Sequence, residues 1–134
     1  MLRVVLDTNI IISAVLTPSG APAQVFTRAL ANSDLRMCLS GPVFAEYEEV
    51  LVRPRFRRTR EEVEAAMSAI RLASLWVVPS RVISVCSDPA DNKFLECAHA
   101  ANAHYVVTGN TRHFPAAWAD TRVITPRDLL DQVL

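Results

Sequence analysis

Four carboxylates in this sequence stand where they could do chemistry: Asp7, Glu46, Asp88 and Asp91. Asp7 is the sharpest. It follows the apolar run Val4-Val5-Leu6 and precedes Thr8, Asn9 and a second apolar run from Ile10. An acid at the carboxyl end of a buried strand lies where open α/β sheets bind their ligands. Desolvating it is costly unless something pairs with it, and a divalent cation is the natural compensator. Glu46 falls early in a predicted helix, off its apolar stripe of Phe44, Tyr47, Val50 and Leu51, so it can turn toward a sheet edge. Glu48 and Glu49 beside it read as ordinary solvated acids. Asp88 precedes Pro89 and has the form of a helix N-cap. Asp91 comes next in that first turn, ahead of Phe94 and Leu95, and leans toward the inward face, whereas Glu96 is expected at the rim or in solvent.

The elements that must position these acids alternate between strand and helix. Strands are predicted at residues 2–6, 35–39, 75–78, 105–107 and 123–124, with a doubtful extended stretch at 82–85. Residues 9–16 are too short to type by periodicity, and their place after a strand favours a helix. Thr17 to Gly20 is a turn cluster, and a helix follows over 21–32. Ser40 can cap a helix over about 41–52, ended by Pro54. Thr59 and Glu62 form a capping-box pattern for a helix to about residue 74. A helix over about 90–102 and a final one after Thr125-Pro126 complete the order. Such alternation implies a mostly parallel, five-stranded sheet covered by helices on both faces, an α/β sandwich. In a parallel sheet, strand ends and the starts of following helices share one edge. Asp7 and Glu46 can meet there. Asp91 joins them only if the strand before its helix runs the same way.

Bulk properties bound the function. The chain has 134 residues and 51% apolar composition, which suits one domain, residues 1–134, with a real core. Fourteen basic and fourteen acidic residues cancel, so nucleic-acid binding must rest on a local patch. Arg53, Arg55, Arg57, Arg58 and Arg60, around Pro54 and Phe56, form such a cluster, and Arg112 and His113 lie in a second loop. The first group can also pair with Glu61, Glu62 and Glu64 along the next helix. Lys93 is the only lysine, and nothing functional follows from that alone. Cys38, Cys86 and Cys97 are odd in number and unpaired in spacing, which argues against a disulfide framework or a cysteine zinc site and fits a cytoplasmic setting. No apolar run approaches the roughly 20 residues of a membrane span.

Four stretches carry a resemblance: LDTNIIISA at 6–14, EYEEVLVRPRF at 46–56, SDPADNKFLECAHAANAHYVVTGN at 87–110 and RHFP at 112–115. With them the chain resembles the PIN-domain ribonucleases, in particular the toxin-like bacterial PIN proteins of toxin–antitoxin systems. The resemblance implies an α/β/α sandwich and an acidic pocket for Mg²⁺ or Mn²⁺ held by Asp7, Glu46 and Asp91. It makes Thr8, Asn9, Asp88 and Thr108 pocket-lining residues. Many members carry a fourth acid in a TGD motif; here that position is Asn110, whose carbonyl can accept from a water. The resemblance further implies an RNA substrate cut to a 5′ phosphate and a 3′ hydroxyl, a cognate antitoxin as partner, and a homodimer.

The expected activity is therefore a metal-dependent endoribonuclease, with Arg53, Arg55, Arg57, Arg58 and Arg112 as RNA contacts and Asn110 positioning water. Hard oxygen ligands favour Mg²⁺ or Mn²⁺ over zinc. A non-catalytic RNA-binding or interaction domain is the alternative, and Asn110 favours it. Phosphoryl transfer through an aspartyl intermediate is disfavoured because Asn9 stands where a second acid usually does. No glycine follows the first strand, which disfavours dinucleotide binding.

Overall fold

The computed structural model describes residues 1–134. The strands are β1 (Leu2–Leu6), β2 (Leu35–Leu39), β3 (Leu75–Trp76), β4 (Tyr105–Val107), β5 (Ala117–Trp118) and β6 (Thr121–Ile124). The helices are α1 (Thr8–Leu16), α2 (Ala21–Ala31), α3 (Gly41–Leu51), α4 (Arg60–Ala73), α5 (Asn92–Ala101) and a short α6 (Pro126–Asp128), which runs on into a π-type turn over Leu129–Val133.

The sheet has six strands in the order β3-β2-β1-β4-β6-β5, not the five expected. The extra strand is β5, two residues that fold back antiparallel on β6, with Trp118 opposite Thr121. Two residues give no period to read, which is why the sequence did not reveal it. All other pairings are parallel, with Val4 opposite both Met37 of β2 and Tyr105 of β4. The stretch at 82–85 is not a strand; only Ile83 in it is buried.

Consecutive residues are buried along the central strands: Val4, Val5 and Leu6 of β1, and Met37, Cys38 and Leu39 of β2. Burial without alternation means that both faces of the sheet are covered, as parallel sheets require. The helices supply that cover with Val25 and Ala29 of α2, Val43, Tyr47 and Leu51 of α3, Val63, Met67 and Ile70 of α4, and Phe94, Leu95 and Ala98 of α5. Val43 rather than Phe44 leads the α3 stripe; Phe44 instead packs on Trp76 with ring centroids 5.3 Å apart.

Local signals set the helix boundaries. Ser40 Oγ accepts the N–H of Val43 at the start of α3. Thr59 and Glu62 form both bonds of a reciprocal capping box on α4. Thr125 Oγ1 accepts the N–H of Asp128. Cys38 and Cys97 are buried thiols, pushed up by desolvation to about 11 and about 12 respectively, so they act as core residues rather than ligands. No single helix is long and apolar enough to cross a membrane.

Candidate metal and nucleic-acid site

The chain runs from β1 outward through β2 to β3, then returns to place β4 on the other side of β1. The carboxyl end of β1 is therefore a topological switch point, where the connections diverge and leave a crevice. Asp7 is the first residue past that end. Its N–H bonds the carbonyl of Val107 in β4 at 2.9 Å, which fixes its backbone at the crevice.

Glu46 reaches the same crevice from α3, the helix that follows β2. The neighbouring Tyr47 anchors α3: its buried hydroxyl donates to the carbonyl of Leu6, one residue before Asp7. Glu46 is thereby registered against Asp7, while Glu48 and Glu49 on the same helix remain exposed. Asp91 arrives from α5. No strand precedes that helix directly, but α5 leads into β4, which is parallel to β1. A helix entering a parallel strand must begin at the carboxyl edge of the sheet, so the start of α5 lands beside Asp7. A short turn over Pro89–Asp91 precedes α5, with Asp88 capping it through the N–H of Ala90 at 3.0 Å.

One cavity of about 250 Å³ collects these residues. Its wall includes Asp7, Thr8, Asn9, Glu46, Asp88 and Asp91, together with Arg53, Arg55 and Phe56. The structure thus brings together the three acids read as metal ligands, three of the four residues read as lining, and two of the five arginines read as RNA contacts. The others lie elsewhere. Thr108 is fully buried behind the wall and donates its hydroxyl to Asp7 Oδ2 at 2.7 Å. Asn110 is held by its backbone N–H to Thr108 Oγ1, outside the cavity wall. Arg57 lies in the turn after Pro54–Phe56, in the left-handed region with φ 52°. Arg58 pairs with Glu62 at 3.4 Å and faces a separate groove of about 560 Å³ between α3 and α4. That groove is larger, but it contains none of the acids of the crevice. Arg112 is exposed in the turn after Asn110.

The electrostatics of the crevice are unbalanced toward negative charge. Asp7 is only 5% exposed. Burial raises its pKa, the Thr108 hydroxyl and the N–H of Asn9 pull it down, and the charge of Glu46 raises it again. Asp91 is pushed up to about 6, first by burial and then by the charges of Asp7 and Asp88, with His113 opposing from 3.7 Å. Two carboxylates destabilised by burial and by neighbouring acids are a donor set that a hard cation would relieve. The oxygen chemistry therefore fits Mg²⁺ or Mn²⁺. The side chains are nevertheless not arranged as a ready cage, since no three acidic, histidine or cysteine groups converge as metal ligands. Glu46 is engaged twice over: one of its oxygens accepts from Thr8 Oγ1 and the other from Lys93 Nζ, at 2.5 Å.

Lys93 is the residue that sequence reasoning passed over. Its signal was compositional, a solitary lysine among thirteen arginines, two positions after Asp91. The contact with Glu46 spans 47 positions and no local pattern encodes it.

The pattern that defines the PIN domain matches residues 3–112, most of the chain. The chain belongs to the PIN-domain family. The uncharacterised protein MJ1680 of Methanocaldococcus jannaschii is 26% identical over 112 residues, which covers 81% of this chain and 71% of that protein. Two solved structures share the PIN fold. VapBC2 from Rickettsia felis, bound to a DNA fragment from their promoter, superposes with a TM-score of 0.59 at 13% identity, covering 92% of this chain and 98% of that one. VapBC-1 from nontypeable Haemophilus influenzae gives 0.55 at 18% identity, with 84% and 90% covered. At these identities the likeness is one of fold. In this PIN domain the switch-point crevice with its four carboxylates is the candidate functional site.

Proposed function

We propose that this PIN domain is a Mg²⁺- or Mn²⁺-dependent endoribonuclease acting as the toxin of a toxin–antitoxin pair. The observation that carries the catalytic part is the convergence of Asp7, Glu46 and Asp91 on one crevice whose rim holds Arg53 and Arg55. The toxin part rests on the resemblance of the sequence and on the fold shared with two VapBC structures. By the same resemblance the partners are a cognate antitoxin and a second copy of the chain.

Asp7, Glu46 and Asp91 would hold the cation, with Asp88 at the rim. When bound there, it supplies Lewis-acid polarisation of a phosphoryl oxygen and activation of water at neutral pH. The protein's own contributions follow from the wall. Thr108 fixes the rotamer of Asp7, and Thr8 fixes that of Glu46, so neither carboxylate must be ordered during the reaction. Arg53 and Arg55 would present guanidinium groups to the phosphates flanking the bond to be cut, with Arg55 stacked over the ring of Phe56 at 4.8 Å. By the same resemblance, hydrolysis would leave a 5′ phosphate and a 3′ hydroxyl. Asn110, outside the wall, is proposed to act on water rather than on the cation.

Incubation with single-stranded RNA, with Mg²⁺, Mn²⁺ or EDTA, tests the reading. Cleavage should need the metal and should disappear in Asp7→Asn while the variant stays folded. Metal-independent cleavage, or full activity of Asp7→Asn, would overturn it. Asn110 and the absence of a preformed cage favour a second reading, a PIN domain that binds RNA without cutting it. That reading predicts RNA binding without cleavage under every metal condition.

A further inference from the structure

The ammonium of Lys93 lies 2.5 Å from Glu46 Oε1, with both side chains only about a quarter exposed, at 25% and 22%. A lysine at that point neutralises one of the carboxylates a cation would need. It also blocks an oxygen, because the other oxygen of Glu46 is engaged by Thr8. The neighbouring space gives the ammonium an alternative place. A second groove, of about 540 Å³, runs beside the crevice and is lined by Lys93 itself, Ser40, Trp76, Arg81 and Glu96. Glu96 lies three positions after Lys93 on α5, the spacing at which helical side chains meet. One of its oxygens accepts the N–H of Ile83 at 2.9 Å, which leaves the other for a cation.

We propose that Lys93 is a built-in competitor of the divalent cation, held by Glu46 in the metal-free protein and transferred toward Glu96 when the ion binds. Resting on the metal-dependent reading above, this makes ion binding an exchange of one cation for another rather than the filling of a preformed cage. Two consequences follow. Lys93 weakens the affinity of the site while protecting the metal-free crevice from its own repulsion. The released ammonium also carries its positive charge out of the crevice into the second groove, where Glu96 receives it.

The test exploits the fact that the chain has one lysine. Protein carrying ¹³Cε-labelled lysine gives a single side-chain resonance, which is followed by NMR as Mg²⁺ is added. In parallel, Mg²⁺ affinity is measured by calorimetry on wild type, Lys93→Met, Lys93→Gln and Glu96→Gln. The lysine resonance should move saturably with Mg²⁺, and both Lys93 variants should bind the ion about tenfold more tightly, a coupling of ordinary size for linked sites. Glu96→Gln should bind it more weakly. Metal binding by wild type with a stationary lysine resonance, or Lys93 variants whose affinity is unchanged or lower, would overturn the exchange while leaving the metal reading intact. Failure of every protein to bind Mg²⁺ or Mn²⁺ would remove both. The NMR arm uses the wild-type chain, so it decides the question even if a variant does not fold.

Discussion

Replacing Asp91 with Asn should stabilise the metal-free protein, which is the reverse of the usual effect of altering a half-buried polar residue. The carboxyl of Asp91 is pushed from 3.8 to about 6 by burial and by the charges of Asp7 and Asp88. That difference corresponds to ~3 kcal/mol at 1.36 kcal/mol per pH unit. The side chain is 18% exposed and is screened by water, which reduces the figure to ~1–2 kcal/mol. The direction is set by proton binding. Between pH 3.8 and about 6 the folded chain holds a proton that the unfolded chain has lost, so stability falls as pH rises through that window and the penalty is complete above it. Asn carries no charge and escapes the penalty. In EDTA at about pH 7.5, Asp91→Asn should therefore melt roughly 3–8 °C above wild type. It should also lose the part of the stability–pH slope that falls between about pH 4 and 6. Saturating Mg²⁺ should raise the melting point of wild type more than that of the variant. Thermal denaturation by circular dichroism across pH, with and without Mg²⁺, provides the assay. A variant no more stable than wild type in EDTA, with the slope unchanged, would refute the claim that the crevice acids repel one another in the metal-free state.

Other outcomes follow from single contacts. Tyr47→Phe removes a buried donor to the Leu6 carbonyl and should cost ~1–3 kcal/mol in urea denaturation, because the carbonyl is left unsatisfied. Thr59→Ala removes the hydroxyl half of the α4 capping box, while the backbone N–H of residue 59 keeps its bond to Glu62, and should cost ~1 kcal/mol with no effect on metal affinity. Combined Arg53→Ala and Arg55→Ala should lower the salt dependence of single-stranded RNA binding by a log–log slope of about 1–2. Arg58→Ala, whose side chain lines the groove between α3 and α4 rather than the crevice, should leave that slope unchanged. Fluorescence anisotropy at several salt concentrations separates the two.

The legible parts of this protein were those written in local patterns. The strand before Asp7, the caps at Ser40, Thr59 and Thr125, and the alternation implying a parallel sheet all depend on residues a few positions apart. The shared edge of Asp7 and Glu46 followed from the rule that strand ends and helix starts coincide. The place of Asp91 was left open by the sequence, and it was tied to the strand before its helix; what brings it to the crevice is the parallel direction of the strand after it, β4. What local pattern does not carry was missed. The partner of Lys93 lies 47 residues away. The arginine cluster looked uniform, yet the turn at Pro54–Phe56 sends Arg53 and Arg55 to the crevice while Arg58 turns back to α4. Glu96 stands partly exposed at a groove rim, as expected, but its bond to the N–H of Ile83, thirteen positions back, is not written in any local pattern. Strand β5 was too short to announce itself.

Helix α5 does more than supply Asp91. Asn92 Oδ1 accepts the N–H groups of Val85 and Cys86, and Glu96 accepts that of Ile83, so the irregular chain between β3 and Asp88 is tied down from the helix that comes after it. On the other side Val77 donates its N–H to the carbonyl of Leu39, and between Val77 and Ile83 no backbone hydrogen bond fixes the chain. Insertions or deletions around Pro79 and Ser80 can then reshape the second groove, which they line, without shifting the acids. Diversification of what the domain recognises would thus be separable, residue by residue, from the preservation of its chemistry.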